Sequence, residues 1–546
     1  MARKYHICVK LAAQLLIPSA TWALTDPFDV REATIDSVHN ALFTRITTCR
    51  QVVSSFIARI ETYNPVINAI ISLNPTALST ADRLDARLAS GNVTGALFCI
   101  PVLLKDNFDT ADIPTTAGCL ALADNRPLHD APTVAALRDA GAIILGKANL
   151  HELALEGISV SSLGGQTVNP YDLTRTPGGS SGGSGAALAA NFAVLSTGTD
   201  TVNSLRSPAS ANSLFSVRPT RGLLSRAGVI PVSYTQDSVG ALARTVKDLA
   251  VALTVMARVG YDAADNTTAA VPTEVRGVDY SAALYGSSLR GLRLGLVGGF
   301  FNHTASAETS PVNEAMALGI RHLRSAGATL VNITDAIYNT TALAALDVQT
   351  FEYRSLLTAY LSSRPAPPNS FADIYTSGNF LVLPSGYPYI TKSTVSSTAA
   401  PAYLPALHAI RSLTQSLQTT FATHALDALI YPEQKNLVVK LGSPSQSGRN
   451  GILAALTGSP VVTVPIGFTA ASGEAPSGVP MGMEILGRPW SEGVLLNIAR
   501  HVGELMLVRR MPPFANGTVE SREYGTVPVI RPDVRNIPKQ YPVGIL

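Results

Sequence analysis

The stretch from Pro177 to Arg206 reads PGGSSGGSGAALAANFAVLSTGTDTVNSLR, two serine-bearing turns around one short apolar helix. Its opening run, Gly178-Gly179-Ser180-Ser181-Gly182-Gly183-Ser184-Gly185, carries too little side chain to build a core, so it acts through backbone and hydroxyl groups. Ala186 to Ala190 are strong helix formers, which place the preceding backbone N–H groups at a helix N-terminus, where negative charge is favoured. A second turn, Thr199-Asp200-Thr201-Val202-Asn203-Ser204, brings another hydroxyl back towards the first. A flexible linker is the bland reading of a Gly/Ser run, but a linker is flanked by shifts in composition, and this run enters an apolar helix without a break. A phosphate cradle is set aside too, because neither a Gly-Lys-Ser/Thr ending nor a GxGxxG after a strand is present.

Outward from this stretch, short apolar runs alternate with helical periodicity. Leu97 to Leu104 reads as a buried strand ending at Lys105, followed by a helix from Pro132 and a strand over Ala142 to Leu145. Further on, Leu292 to Val297 reads as a strand, Ser310-Pro311 opens a helix running to about Ala326, and Thr329 to Ile333 is the next strand. Nearer the start, Val52, Val53, Phe56, Ile57 and Ile60 form one apolar helical stripe, which Pro65 is expected to break. The pattern predicts an α/β fold: a large mixed, mainly parallel β-sheet covered by helices on both faces. Gly298-Gly299 reads as a plain βα turn, since the nucleotide fingerprint is absent. The uncharged run Gly451 to Gly473 contains Pro460 and Pro465 and reads as a buried strand pair, not a membrane span. Two Pro/Ser/Thr-rich excursions, at about 262–290 and 364–401, lack periodicity and are expected to shape the mouth of a buried site.

Composition narrows the partners. The net charge of +3 comes from Arg3, Lys4 and Lys10 near the start, and without them 38 basic residues face 38 acidic ones. A balanced chain gives no electrostatic reason to expect nucleic acid or an anionic membrane as partner. Charged residues make up 14% of the chain, against about 25% in ordinary domains, which fits a large and deeply buried enzyme. Residues 1–23 read as a secretory signal peptide, with a basic start, an apolar Leu11 to Ile17 and a cleavage site at Thr21-Trp22-Ala23. Residues 24–510 are then the main domain and 511–546 an extended tail on its surface. Asn92, Asn266, Asn302, Asn332, Asn339 and Asn516 head glycosylation sequons in such a secreted chain. Cys49, Cys99 and Cys119 allow one disulfide, with Cys99–Cys119 the expected pair because both flank the Lys105 segment. No Cys/His spacing suggests a metal, and no cofactor motif is present.

The motif residues together resemble the amidase signature family of serine hydrolases. The resemblance rests on Pro177-Gly-Gly-Ser-Ser-Gly-Gly-Ser184, on Gly198-Thr-Asp-Thr201 with Ser204, Arg206 and Pro208, and on Pro101 to Asp106. Further blocks follow in the family's order, among them Thr115-Thr-Ala-Gly118, Gly146-Lys-Ala-Asn149, Arg218-Pro-Thr-Arg-Gly222, Asp237-Ser-Val-Gly240 and Ile485-Leu-Gly-Arg-Pro489, covering about residues 30 to 510. It implies the amidase-signature fold and hydrolysis of a small-molecule amide through an acyl-enzyme, without a cofactor. Ser204 is then the nucleophile, Ser180 the bridging serine after a cis Gly179–Ser180 bond, and Lys105 the base. The resemblance also implies supporting roles for Ser181, Asp200 and Arg206, and an oxyanion hole from the backbone of Thr201, Val202, Asn203 and Ser204. Independently of any family, a lysine ending an apolar strand is desolvated, which favours its neutral, proton-accepting form.

One departure concerns Val202-Asn203, where the family usually carries glycine at one or both positions. Valine tolerates positive φ poorly, so the loop is expected to keep ordinary φ there and to use the side chain to narrow the acyl pocket. Two alternatives stay open: an α/β-hydrolase-type esterase using Ser181 in Gly179-Ser180-Ser181-Gly182-Gly183, and a non-catalytic binding protein derived from an amidase. An Asp200–Arg206 surface pair is the bland reading of those two residues. The acyl group, the amine and the oligomeric state are not written in any motif.

Overall fold

Hydrophobic pattern and capping chemistry set the first long helix, Cys49–Ile67, of the computed structural model, which describes residues 28–285, 288–364 and 366–546. Thr48 and Gln51 form a reciprocal capping box at its start, and the predicted stripe of Val52, Val53, Phe56, Ile57 and Ile60 is buried. Pro65 lies inside the last turn, and the helix ends at Asn68 in the left-handed conformation. The proposed signal peptide falls outside the described residues.

Eleven strands form one sheet in the order Ile70–Leu73, Ile143–Ala148, Pro101–Lys105, Leu195–Asp200, Ser238–Ala243, Phe215–Arg218, Val461–Phe468, Pro480–Leu486, Ala428–Pro432, Arg293–Val297 and Thr329–Ile333. Every residue of Pro101–Lys105, Ile143–Ala148, Leu195–Asp200, Ser238–Ala243 and Pro480–Leu486 is buried. Because successive side chains point to opposite faces, burial of all of them means that both faces are covered. The sheet is mixed, as expected, but less parallel than expected: four of its ten pairings are parallel. Both strand–helix–strand units visible in the sequence are parallel, and they lie towards the two ends of the sheet. In the antiparallel centre only short helices, Arg206–Ala211 and Ile452–Thr457, separate consecutive strands, and the other connections are irregular loops, so no long helical period marks it in the sequence.

Two further expectations are corrected. Gly451 to Gly473 is not a strand pair: helix Ile452–Thr457 stops at Gly458 in the left-handed conformation, and strand Val461–Phe468 follows. The disulfide joins Cys49 to Cys99, leaving Cys119 free and buried. Cys99 precedes strand Pro101–Lys105 and Cys119 follows it, next to Ala117, whose N–H bonds the Asp106 carbonyl. Five residues of strand span about 17 Å, far beyond the reach of a disulfide. The tail from 511 is extended, with short turns at Pro513–Ala515 and Val534–Asn536, and Asn536 and Gln540 hydrogen-bond Gln166 and Gly442 of the main body.

Candidate active site

The helix Gly182–Ala189 is buried on all sides, which its small residues permit. Gly198 on the adjoining strand is held to glycine by close approach: a Cβ there would sit 2.7 Å from both Ser181 Oγ and Leu205 Cδ2. These contacts bring the Gly/Ser turn against the end of strand Leu195–Asp200. The Ser181 N–H donates to the Ser204 carbonyl at 3.2 Å, so the two serine turns meet as expected. The Gly179–Ser180 bond is cis.

Lys105, the last residue of its strand, is fully buried. Its ammonium nitrogen lies 2.7 Å from Ser180 Oγ and 2.7 Å from Thr199 Oγ1, and Asn107 Nδ2 donates to the same threonine oxygen at 3.1 Å. Burial lowers its pKa to about 7, with the charges of Asp200 and Asp237 opposing part of the shift. Ser180 is fully buried, whereas Ser204 reaches the wall of a cavity of about 660 Å³. Depth therefore orders the three residues: Ser204 at the cavity, Ser180 and Lys105 behind it.

Asp200 and Arg206 are not a surface pair. Both are fully buried, and Arg206 donates through Nε and Nη2 to the Asp200 carboxylate at 3.0 Å each, and through Nη1 to both oxygens of Glu484 at 2.9 Å. Arg206 also bonds the carbonyls of Val202 and Gly451, while Asp200 accepts the Leu205 N–H at 3.0 Å and Arg218 Nη1 at 3.1 Å. The loop Thr201–Ser204 is thus clamped from beneath. Asn203 Nδ2 donates to Glu433 Oε1 at 3.2 Å, and Thr201 Oγ1 to Asp237 Oδ1 at 2.6 Å. Burial and the nearby Glu484 carboxyl push Glu433 well above the ordinary carboxylate range. Neither Val202 nor Asn203 has positive φ, as expected, and Val202 lines the cavity that Ser204 also reaches.

The family profile described as Amidase matches residues 51–496. The chain belongs to the amidase family. A probable amidase of Arabidopsis thaliana is 32% identical over 90% of this chain and 93% of its own length. A glutamyl-tRNA(Gln) amidotransferase subunit of Myxococcus xanthus is 35% identical over 81% of this chain and 91% of its own. The crystal structure of the native peptide amidase of Stenotrophomonas maltophilia superposes with a TM-score of 0.80 at 34% identity, covering 89% of this chain and all of that one.

Both Pro/Ser/Thr-rich excursions of this amidase-family chain reach cavities at this site, and the second is not irregular as expected, since it holds the helices Phe371–Thr376 and Tyr387–Val395. Leu381, Val382, Leu383 and Tyr389 line the larger cavity, and Ala263 to Asn266 line a second one of about 420 Å³. Ser181, the alternative nucleophile, does not sit on a strand-to-helix elbow: no strand lies between Gln166 and the helix at Gly182, and Ser181 Oγ donates to the Thr199 carbonyl at 3.3 Å. Sequence reasoning missed Thr199 and Asn107, which complete the shell of Lys105, and Glu433 and Glu484. For Glu484 a signal existed, a lone carboxylate in the apolar strand Pro480–Leu486. Of the sequon asparagines, Asn92, Asn266, Asn332, Asn339 and Asn516 are exposed and Asn302 is half-buried.

Proposed function

We propose that this chain hydrolyses the C–N bond of a carboxylic amide through an ester on Ser204, with Ser180 relaying the proton and Lys105 as base. The observation that carries the reading is the 2.7 Å contact between the Lys105 amine and Ser180 Oγ, at a lysine bonded to hydroxyls and, among the described residues, paired with no carboxylate. A carboxylate partner would hold the amine protonated; burial without one frees its lone pair. Ser204 Oγ attacks the carbonyl carbon, its proton passes to Ser180 and on to Lys105, and the backbone N–H groups of Thr201 to Ser204 receive the oxyanion. The proton then returns to the leaving nitrogen, and water hydrolyses the ester.

A serine-directed phosphonate with peptide mapping tests this. Label on Ser204, abolished in Ser204→Ala, is the expected result; label on Ser181, or none, refutes the reading. The pH profile is a second check. Lys105 serves as base only when neutral, so kcat/KM is expected to rise with pH through a midpoint of about 7. A profile already flat from pH 5 to 8 would contradict it. Val202→Gly opens the wall beside Ser204 and is expected to raise kcat/KM for bulkier acyl groups about tenfold relative to acetyl, measured on an acyl series.

The relatives that are amidotransferase subunits support a second reading, in which the amide nitrogen is passed on rather than released. The signal-like start and the Cys49–Cys99 disulfide favour the first, because disulfides persist in oxidising compartments. We place the protein outside the cytosol on that basis, with the exposed sequons as glycan acceptors.

A further inference from the structure

Thr201 and Ala154 line the larger cavity and also the second one, so the nucleophile loop stands between two spaces. They differ in what lies behind them. Ser204 and Val202 face the larger cavity, whereas Thr199 and Asn107, which hydrogen-bond around the Lys105 amine, line the second. In the mechanism proposed above, on which this inference rests, the nitrogen that leaves must face the groups that return its proton. That requirement assigns the acyl arm to the larger cavity and the amine arm to the second.

We propose that the second cavity holds a substituent on the leaving nitrogen, so that the substrates are N-substituted amides releasing a primary amine rather than ammonia. Ammonia needs no more room than a water molecule, about 30 Å³, against about 420 Å³ here. The charged groups on the wall are already compensated. Arg226 pairs with Asp265 at 2.8 Å, and Asp237 accepts from Thr201 Oγ1 at 2.6 Å and from the Val232 and Ser233 N–H groups at 2.8 and 2.9 Å. What remains includes Val229, Ile230, Pro231 and Val239, which suits a neutral, apolar substituent. Asn107 keeps a buried side-chain oxygen without a partner, an acceptor for the N–H that a secondary amide carries. In the step itself the Ser204 Oγ–acyl bond forms and the C–N bond breaks. The Ser204 proton, relayed by Ser180 and Lys105, ends on nitrogen, and the neutral amine departs into the second cavity.

The test compares kcat/KM for a primary amide and the N-benzyl amide of the same acid, with wild type, Ala264→Trp and Ser204→Ala. Ala264 sits on an exposed turn of the second cavity's wall, where an indole would take up its volume. Wild type is expected to favour the N-benzyl amide by about tenfold or more, and Ala264→Trp to reduce that ratio by about tenfold. Preference for the primary amide, or a ratio unchanged by Ala264→Trp with its thermal unfolding intact, overturns the inference; if that variant does not fold, Ala263→Trp replaces it. Turnover that survives Ser204→Ala on both substrates refutes the underlying mechanism instead, whatever the ratio.

Discussion

Lys105→Met is expected to lower kcat/KM by about 10²- to 10⁴-fold, the range for removing a general base, while making the protein more stable. Both effects come from one feature, an amine taken fully out of water and given hydroxyl partners. In the unfolded chain this lysine stays protonated up to about pH 10.5; in the fold it releases its proton near 7. Between those values the unfolded state binds more protons, so stability rises with pH across that window, and below 7 the native state carries the full penalty. The penalty is of the order of a few kcal/mol. Methionine matches the lysine's reach and removes it, so Tm at pH 7 is expected to rise as activity falls. Lys105→Arg separates the two contributions. Its guanidinium cannot deprotonate, so activity is lost equally, but a buried charge remains and stability drops. Steady-state kinetics and thermal unfolding of the three proteins at pH 6 and 9 decide it. Retention of more than about a tenth of wild-type kcat/KM in Lys105→Met excludes the lysine as base.

Local pattern carried much of this architecture. The stripe from Val52 to Ile60, the strand Thr329–Ile333 and the helix from Ser310 were legible because each obeys one period over its own residues. The roles of Ser180, Ser204 and Lys105 rest on the resemblance of their motifs to the amidase signature, and only the lysine ending an apolar run is an independent local signal. What could not be read depends on partners far away in the chain. Arg206 meets Glu484 across 278 residues and Asn203 meets Glu433 across 230, and no periodicity records either meeting. The Cys49–Cys99 pair is of the same kind, since it follows from where the helix Cys49–Ile67 packs and not from the spacing of cysteines. For Asp200 and Arg206 the sequence leaves both a supporting role and a surface pair open, because burial, which decides what an ion pair contributes, is itself a tertiary property.

Arg206→Ala is expected to destabilise the fold by about 3–5 kcal/mol, the range measured when one partner of a buried ion pair is removed. The guanidinium serves two fully buried carboxylates, Asp200 and Glu484, and the carbonyls of Val202 and Gly451. Alanine leaves each of them one donor short, with both carboxylates fully buried. The carboxylates respond differently. Burial raises the pKa of Asp200, but Arg206 and Arg218 more than offset this and hold it below its ordinary value. Its contribution to stability is therefore present above its unfolded pKa and lost as pH falls through the folded one. Without Arg206, Arg218 is the remaining ion-pair partner of Asp200 among the described residues, the folded pKa of Asp200 rises, and acid unfolding begins at higher pH than in wild type. Glu484 already lies above its ordinary value through burial, and protonation neutralises it in the variant. Arg206→Lys keeps the charge but offers one ammonium where a planar fork bridges two carboxylates, so it is expected to fall between wild type and alanine in stability. It should lose more in kcat than in KM, because the Val202 carbonyl it no longer holds belongs to the loop proposed to receive the oxyanion. Denaturant unfolding of both variants at pH 5 and 7, alongside steady-state kinetics, checks each part. An unfolding free energy lowered by less than about 0.5 kcal/mol, the size of an ordinary surface change, in Arg206→Ala would mean that the clamp beneath Ser204 does not depend on this residue.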